Sequence, residues 1–170
     1  MYALTLNPLR RDPHLVESIV YGLKSTLGVM FEHPVRVRHV IVAIRELLDN
    51  MLTHADWDQT PAPALFVRYR VRNDVPQLCI SSINVIKDID EAARAVRLIN
   101  ESITDSSSAA LDRRLTAHLT ESASIRTSGG IGLLQVASWP GCHLEIRLDG
   151  ALFHVRVDVD VPELRPAPKV

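Results

Sequence analysis

The sequence is poor in cysteine, in net charge and in long apolar runs, and each shortage excludes a class of protein. Its two cysteines, Cys79 and Cys142, lie far apart within β-like apolar runs. We therefore expect two buried free thiols in a reducing cytoplasm, not a redox pair or a metal site. A formal net charge of −1 favours no nucleic-acid partner. No run reaches the roughly 18 apolar residues of a membrane span, and the N-terminus has no signal-peptide pattern, so we expect neither membrane insertion nor export.

Length and composition predict one domain. The chain has 170 residues, of which 46% are hydrophobic and 23% are charged, and this is enough to bury one core without disulfides or metal ions. The last segment, "PELRPAPKV", is rich in proline, which disfavours regular hydrogen-bonded structure. We therefore predict a single domain over 1–162 and a Pro-rich tail over 163–170.

Helix signals occur at three places in the first two thirds of the chain. Asp12 followed by Pro13 is typical of an N-cap and a first helical position. Pro34 opens a second helix, whose apolar residues keep to one face for about five turns. Asp88, three residues before Glu91, predicts the capping box of a third helix.

Strand signals precede and follow these helices. "YALTLNP" predicts a first strand, "ALFVRYRVR" and "QLCISSI" predict a hairpin joined by "NDVP", and the chain ends in a hairpin that turns at Asp149-Gly150. A further helix over 106–124 and a glycine-opened helix that stops at Pro140 separate the two hairpins. This order predicts an α/β sandwich (α+β), in which helices cover one face of a mixed, mostly antiparallel sheet and leave the other face open and polar.

The second helix carries Glu46, Asn50 and His54 at four-residue spacing beside its apolar face. They fall at roughly 180°, 220° and 260° from the centre of the apolar stripe, while Arg45 and Asp49 form an i,i+4 pair on the other flank. A carboxylate can take a proton, an amide oxygen can bind Mg²⁺ and an imidazole can neutralise phosphate. The row therefore fits nucleotide chemistry, and it also fits two surface residues with His54 at the rim of the core.

A glycine cluster decides between these interpretations. In "SGGIGLLQV", Gly129, Gly130 and Gly132 precede and open a helix. Glycine lets the backbone approach a ligand closely, and the first amides of a helix bind anionic oxygens. The cluster follows a serine-rich segment and precedes the final hairpin, which favours a phosphate site.

Two segments together carry a family resemblance. "ELLDNMLTHA" resembles the N box of the GHKL (Bergerat-fold) ATPases, and "GGIGLLQVA" resembles their second glycine box, in the right order, within a region of roughly Val35 to Val159. The resemblance implies a Bergerat (histidine-kinase-like ATPase) fold for the 1–162 domain, with ATP and Mg²⁺ as cofactors.

The resemblance also implies roles for particular residues. Glu46 would act as the base or orient the attacking group, Asn50 would hold Mg²⁺ with the nucleotide, and His54 would lie near the phosphates. The phosphates themselves would be cradled by the glycine cluster, Gly129, Gly130 and Gly132.

The sequence departs from the family where the adenine base is recognised. Family members carry an Asp-x-Gly-x-Gly box there, whereas this chain has "ISSINVIKDID". The side-chain oxygen of Asn84, or Ser82, could accept from the adenine amino group in place of the aspartate. Val85 and Ile86 are β-branched and do not reproduce the close approach of glycine.

This altered pattern is similar to that of a short-chain branch, the anti-sigma-factor serine kinases of bacterial partner switching. The resemblance implies a cytoplasmic serine/threonine kinase that phosphorylates a STAS-domain antagonist protein and forms a homodimer. A second hypothesis is a non-catalytic module that binds a sigma factor or an antagonist.

The remaining features predict no other activity. The segment over 102–114 occupies the place of the family's nucleotide lid, with Arg113, Arg114 and Arg126 as candidate phosphate contacts. The same segment also reads as an ordinary polar helix-loop-helix. The histidines lack a compact zinc-ligand spacing, and no serine lies in a hydrolase elbow.

Overall fold

The computed structural model describes residues 3–6, 12–31, 33–104 and 131–161. These residues form five strands and four helices. In chain order the elements are β1 (Ala3–Leu6), α1 (Pro13–Met30), α2 (Pro34–His54), β2 (Ala64–Arg72), β3 (Val75–Val85), α3 (Ile89–Thr104), α4 (Ile131–Ser138), β4 (Cys142–Asp149) and β5 (Leu152–Asp160).

The strands form one sheet in the order β1-β2-β3-β5-β4. All the pairings between them are antiparallel, which agrees with the mostly antiparallel sheet predicted from the sequence. In the centre of the sheet, Ile80 of β3 pairs with Val67 of β2 and with Val157 of β5. Ile80 and Val157 are fully buried, so this centre belongs to the hydrophobic core.

The described helices cover one face of the sheet. Helix α2 contacts the central strands β3 and β5, α3 and α4 contact β4, and α1 packs on α2. Val40, Ile44 and Leu47 of α2 are fully buried, as its apolar stripe predicts. Ala43, outside that stripe, is also fully buried. The predicted α/β sandwich is therefore confirmed.

The other face of the sheet is polar, as predicted. Asp158 of β5 is buried between two arginines: its Oδ2 lies 2.8 Å from Nη2 of Arg70 and 3.1 Å from Nη2 of Arg156. Beside this cluster, Nε2 of Gln77 donates to Oδ1 of Asp160 at 2.9 Å. None of the described helices packs on this face.

Both hairpins form, with turns that differ slightly from their predictions. The predicted link "NDVP" is longer than the observed turn, because β3 already begins at Val75. Asn73 and Asp74 alone make the turn, with φ of 50° and 61°. This left-handed conformation is one that asparagine and aspartate tolerate. In the final hairpin Asp149 pairs with Leu152, so the turn lies one residue later than predicted, with Gly150 at a φ of 57°.

The predicted caps of α1 and α3 are present. Oδ1 of Asp12 accepts from the His14 amide at 2.9 Å, and Oδ1 of Asp88 accepts from the Glu91 amide at 2.8 Å. Each bond satisfies an amide that the helix itself leaves unpaired.

Asp88→Ala is expected to lower the free energy of unfolding by about 1 kcal/mol, because an N-cap acceptor is lost. Asp88→Asn is the matched control, since asparagine keeps the acceptor oxygen, and it should lose much less. Urea denaturation of both variants measures the difference. Equal losses would show that the cap bond is not what stabilises α3.

Several predictions lie outside the described residues. These are the Pro-rich tail over 163–170, the helix over 106–124, the lid arginines and the first two glycines of the cluster: Arg113, Arg114, Arg126, Gly129 and Gly130. Among the described helices, none is both long and apolar enough to cross a membrane.

Candidate functional site

The structure brings the two family-like segments into direct contact. Gly132 lies in the first turn of α4, and Glu46 lies in the middle of α2. A Cβ atom added to Gly132 would lie 2.6 Å from Oε1 of Glu46 and closer still to its Oε2 and Cδ. The Glu46 carboxyl occupies the space that a side chain at position 132 would need, so the structure places one residue of each family-like segment against the other.

The surroundings of Glu46 favour its protonated form. Burial of the carboxyl raises its pKa above the ordinary value, and the negative charge of Asp49 raises it further, while Arg45 acts in the opposite direction. Arg45 is engaged elsewhere, because it pairs with Glu17 of α1 and lies 3.7 Å from Oδ2 of Asp49. Glu46 is half-buried and has no ion pair with a described residue. A carboxylate in this setting is a stronger base than one in water.

Asn50 is the next residue of the row, one turn further along α2. Its Nδ2 atom is buried and has no hydrogen-bond partner among the described residues. A buried amide without a partner is costly, and such groups concentrate at sites that bind a ligand. The two ends of an asparagine amide are assigned by their surroundings, so this side chain fits the expected role of offering an oxygen to Mg²⁺ bound with a nucleotide.

His54 is the last residue of α2, and its side chain is exposed. None of the described elements covers it, because the chain leaves the helix at Ala55, which forms a bridge to Ile86 after β3. The structure thus places His54 on the same helix as Glu46 and Asn50, at the exposed end of that helix. Its expected position near the phosphates stays a prediction.

Ser82 and Asn84, the expected adenine contacts, lie on the helix-facing side of β3. Both are almost fully buried, with 4% and 3% of their surface exposed. Nδ2 of Asn84 makes a long contact, 3.5 Å, to the Val85 carbonyl. That carbonyl also accepts from the Asp56 amide at 2.7 Å, so the end of β3 is tied to the end of α2. The expected contacts of Ser82 and Asn84 with adenine, and of the first turn of α4 with phosphate, stay predictions.

The sequence analysis missed a second contact between α2 and the segment that holds Gly132. His39 of α2 stacks on Trp139, which follows α4, with ring centroids 4.4 Å apart and an interplanar angle of 17°. Arg36, one turn earlier, donates from Nη1 to the Pro140 carbonyl. The seven-residue spacing of His39 from Glu46 places both on one side of α2, but it does not indicate Trp139 as the partner.

Comparison with known proteins supports the fold. No protein-family model and no curated protein sequence matches the chain. A chain of the crystal structure of the SiaB-SiaC complex from Pseudomonas aeruginosa matches with a TM-score of 0.62 and 18% sequence identity. The match covers 94% of this chain and 90% of that chain. At this level of identity the similarity shows a shared fold.

Proposed function

We propose that this protein is a GHKL-type, ATP-binding regulator of a bacterial partner-switching pathway, and that it acts as a serine/threonine protein kinase. The contact between Glu46 and Gly132 carries the proposal, because it joins the two segments that resemble the family's nucleotide site. The unpartnered amide of Asn50 beside this contact supports it.

In the proposed phosphoryl transfer each site residue would have a separate role. Asn50 would hold Mg²⁺, and Mg²⁺-ATP, when bound, supplies the phosphoryl group. Glu46 would orient the attacking hydroxyl of the acceptor and take its proton, for which its raised pKa is suited. The first turn of α4 would meet the phosphate oxygens with its backbone amides, because a helix N-terminus carries partial positive charge.

A protein acceptor is part of the proposal. The similar solved chain comes from a complex of two proteins, and the family-like segments resemble those of kinases that phosphorylate STAS-domain antagonists. We therefore propose a STAS-domain antagonist as the acceptor of the phosphoryl group. A homodimer and a cytoplasmic location belong to the same proposal.

One observation favours a second function, that of a non-catalytic module that binds a sigma factor or an antagonist. Ser82 and Asn84 are almost fully buried, and the backbone bond from Asp56 to Val85 closes the strand end beside them. If adenine cannot enter there, the module would work by contact alone, and its affinity for a partner would not depend on ATP.

Calorimetric titration with Mg²⁺-ATP separates the two functions. We expect the wild type to bind, and Asn50→Ala to weaken the affinity by about 10–100-fold, the usual effect of removing a group that supports a metal ion. Asn50→Ala should remain folded, because the substitution removes an amide that has no partner.

The matched control is Asn100→Ala, which removes an exposed asparagine of α3 and should leave the affinity unchanged. If titration of Mg²⁺-ATP into the wild type gives no heat of binding, the kinase proposal is overturned and the non-catalytic module is favoured. Equal affinity of the wild type and Asn50→Ala would remove Asn50 from the site.

A further inference from the structure

Helix α4 runs antiparallel to α2 and is held against it at two points. Gly132 meets Glu46 at the start of α4, and Trp139 meets His39 just after its end. The two contacts are separated by seven residues along both segments, which is about 10 Å of helix. We call the Gly132–Glu46 contact the near contact and the Trp139–His39 contact the far contact. The far contact limits how far α4 can slide or tilt along α2 at the near contact.

The contact at Trp139 is made of two interactions, a ring stack and a hydrogen bond, next to a turn at Gly141. The His39 and Trp139 rings are nearly parallel, a geometry that aromatic pairs favour. Arg36 donates to the Pro140 carbonyl, and its Nη1 lies 2.9 Å from where a Cβ of Gly141 would be. Gly141 has a φ of 73°, a conformation that glycine adopts without strain. The turn after α4 is thus shaped to receive both Arg36 and His39.

The surroundings of His39 favour the neutral form of its ring. Burial lowers the pKa of His39 below its ordinary value, and the positive charges of Arg36, Arg38 and His33 lower it further. Its Nδ1 atom is buried without a hydrogen-bond partner among the described residues. The described contact of His39 with the turn after α4 is the stack on Trp139.

Tertiary contacts must set the position of α4, because it has only eight residues and an isolated helix of that length is not stable in water. We propose that His39 and Trp139 are positioning residues, whose stack sets where the first turn of α4 lies against the Glu46 carboxylate and so controls the affinity of that turn for phosphate. The effect on phosphate affinity rests on the proposed function, whereas the effect on the position of α4 does not.

The positional part is tested first without nucleotide. Trp139→Leu removes the stack, and Trp139→Phe keeps an aromatic ring. By NMR, the Gly132 amide and the Glu46 side-chain carboxyl should shift in Trp139→Leu and should stay close to wild type in Trp139→Phe. Resonances of Gly132 and Glu46 that do not move in a folded Trp139→Leu variant would overturn the proposal.

Mg²⁺-ATP is then titrated into the same variants. Trp139→Leu should raise the Kd about tenfold, a coupling typical of residues that act at a distance, while Trp139→Phe and a control in the other tryptophan, Trp57→Phe, should change it less than about twofold. If the resonances move but Mg²⁺-ATP binds Trp139→Leu as tightly as it binds the wild type, the proposal that the stack sets the affinity for phosphate is overturned.

The two proposals fail in distinguishable ways. Moved resonances together with no Mg²⁺-ATP binding by the wild type would support the positional role of Trp139 and overturn the proposed function. If Trp139→Leu does not fold, His39→Leu removes the stack from the other side, and the same resonances of Gly132 and Glu46 then decide.

Discussion

Glu46→Gln is expected to lower ADP release from Mg²⁺-ATP by about 10²–10⁴-fold, the usual contribution of a general base, and to leave the affinity for Mg²⁺-ATP nearly unchanged. Glutamine keeps the shape of the side chain beside Gly132 but cannot accept the proton of the attacking hydroxyl or water. Loss of turnover with intact binding is therefore the result that identifies Glu46 as the base.

The same substitution should stabilise the protein at neutral pH. Folding raises the pKa of Glu46, mainly through burial, so the folded state favours the protonated carboxyl. The wild type therefore loses stability as the pH rises above about 4.3, where a free glutamate ionises, until Glu46 is also ionised in the folded state. Glutamine does not ionise, so Glu46→Gln avoids this loss. Because the carboxyl is half exposed and screened by solvent, we expect a gain below about 1 kcal/mol.

Denaturation of both proteins at acidic and at neutral pH measures this difference. It should vanish under acidic conditions, where both side chains are neutral, and appear at neutral pH. The control is Glu101→Gln, which changes an exposed glutamate of α3 and should affect neither turnover nor stability. Unchanged ADP release by Glu46→Gln would contradict the assignment of the base.

Gly132→Ala is expected to lower ADP release by about 100-fold, while the fold persists. The new methyl group would overlap the Glu46 carboxylate, and the flexible end of that side chain must move away. Displacement of a reacting group by about 1 Å costs roughly 10²-fold in rate. Stability should change little, because alanine favours the helix by up to about 1 kcal/mol relative to glycine and so offsets the overlap.

The matched control is Gly22→Ala in α1, where an added Cβ would meet nothing within 4 Å. This variant should gain about 0.5–1 kcal/mol in the free energy of unfolding and keep full ADP release. A second readout does not depend on turnover: the pKa of Glu46, followed by NMR, should fall towards its ordinary value in Gly132→Ala as the carboxyl moves into solvent. If Glu46 titrates as in the wild type, the contact is not as close as the structure places it.

The sequence by itself determined the order of the described helices and strands and most of the side of α2 that faces the core. The apolar stripe of α2, the β-rich run of β2, and the acceptors Asp12 and Asp88 are local signals, because each depends on residues within one or two turns or within one strand. The spacing of Glu46 and Asn50, and the glycine cluster that includes Gly132, were readable for the same reason.

Only the tertiary structure decided which of the residues that carry these signals are in contact. The contact between Glu46 and Gly132, and the stack of His39 on Trp139, join residues far apart in the chain, and their partners are set by how α4 packs on α2. The burial of Ala43 also depends on the neighbours of α2 and not on its apolar period. Likewise the burial of Ser82 and Asn84, and the bond that ties the end of α2 to the end of β3 beside them, depend on long-range packing that no local pattern encodes.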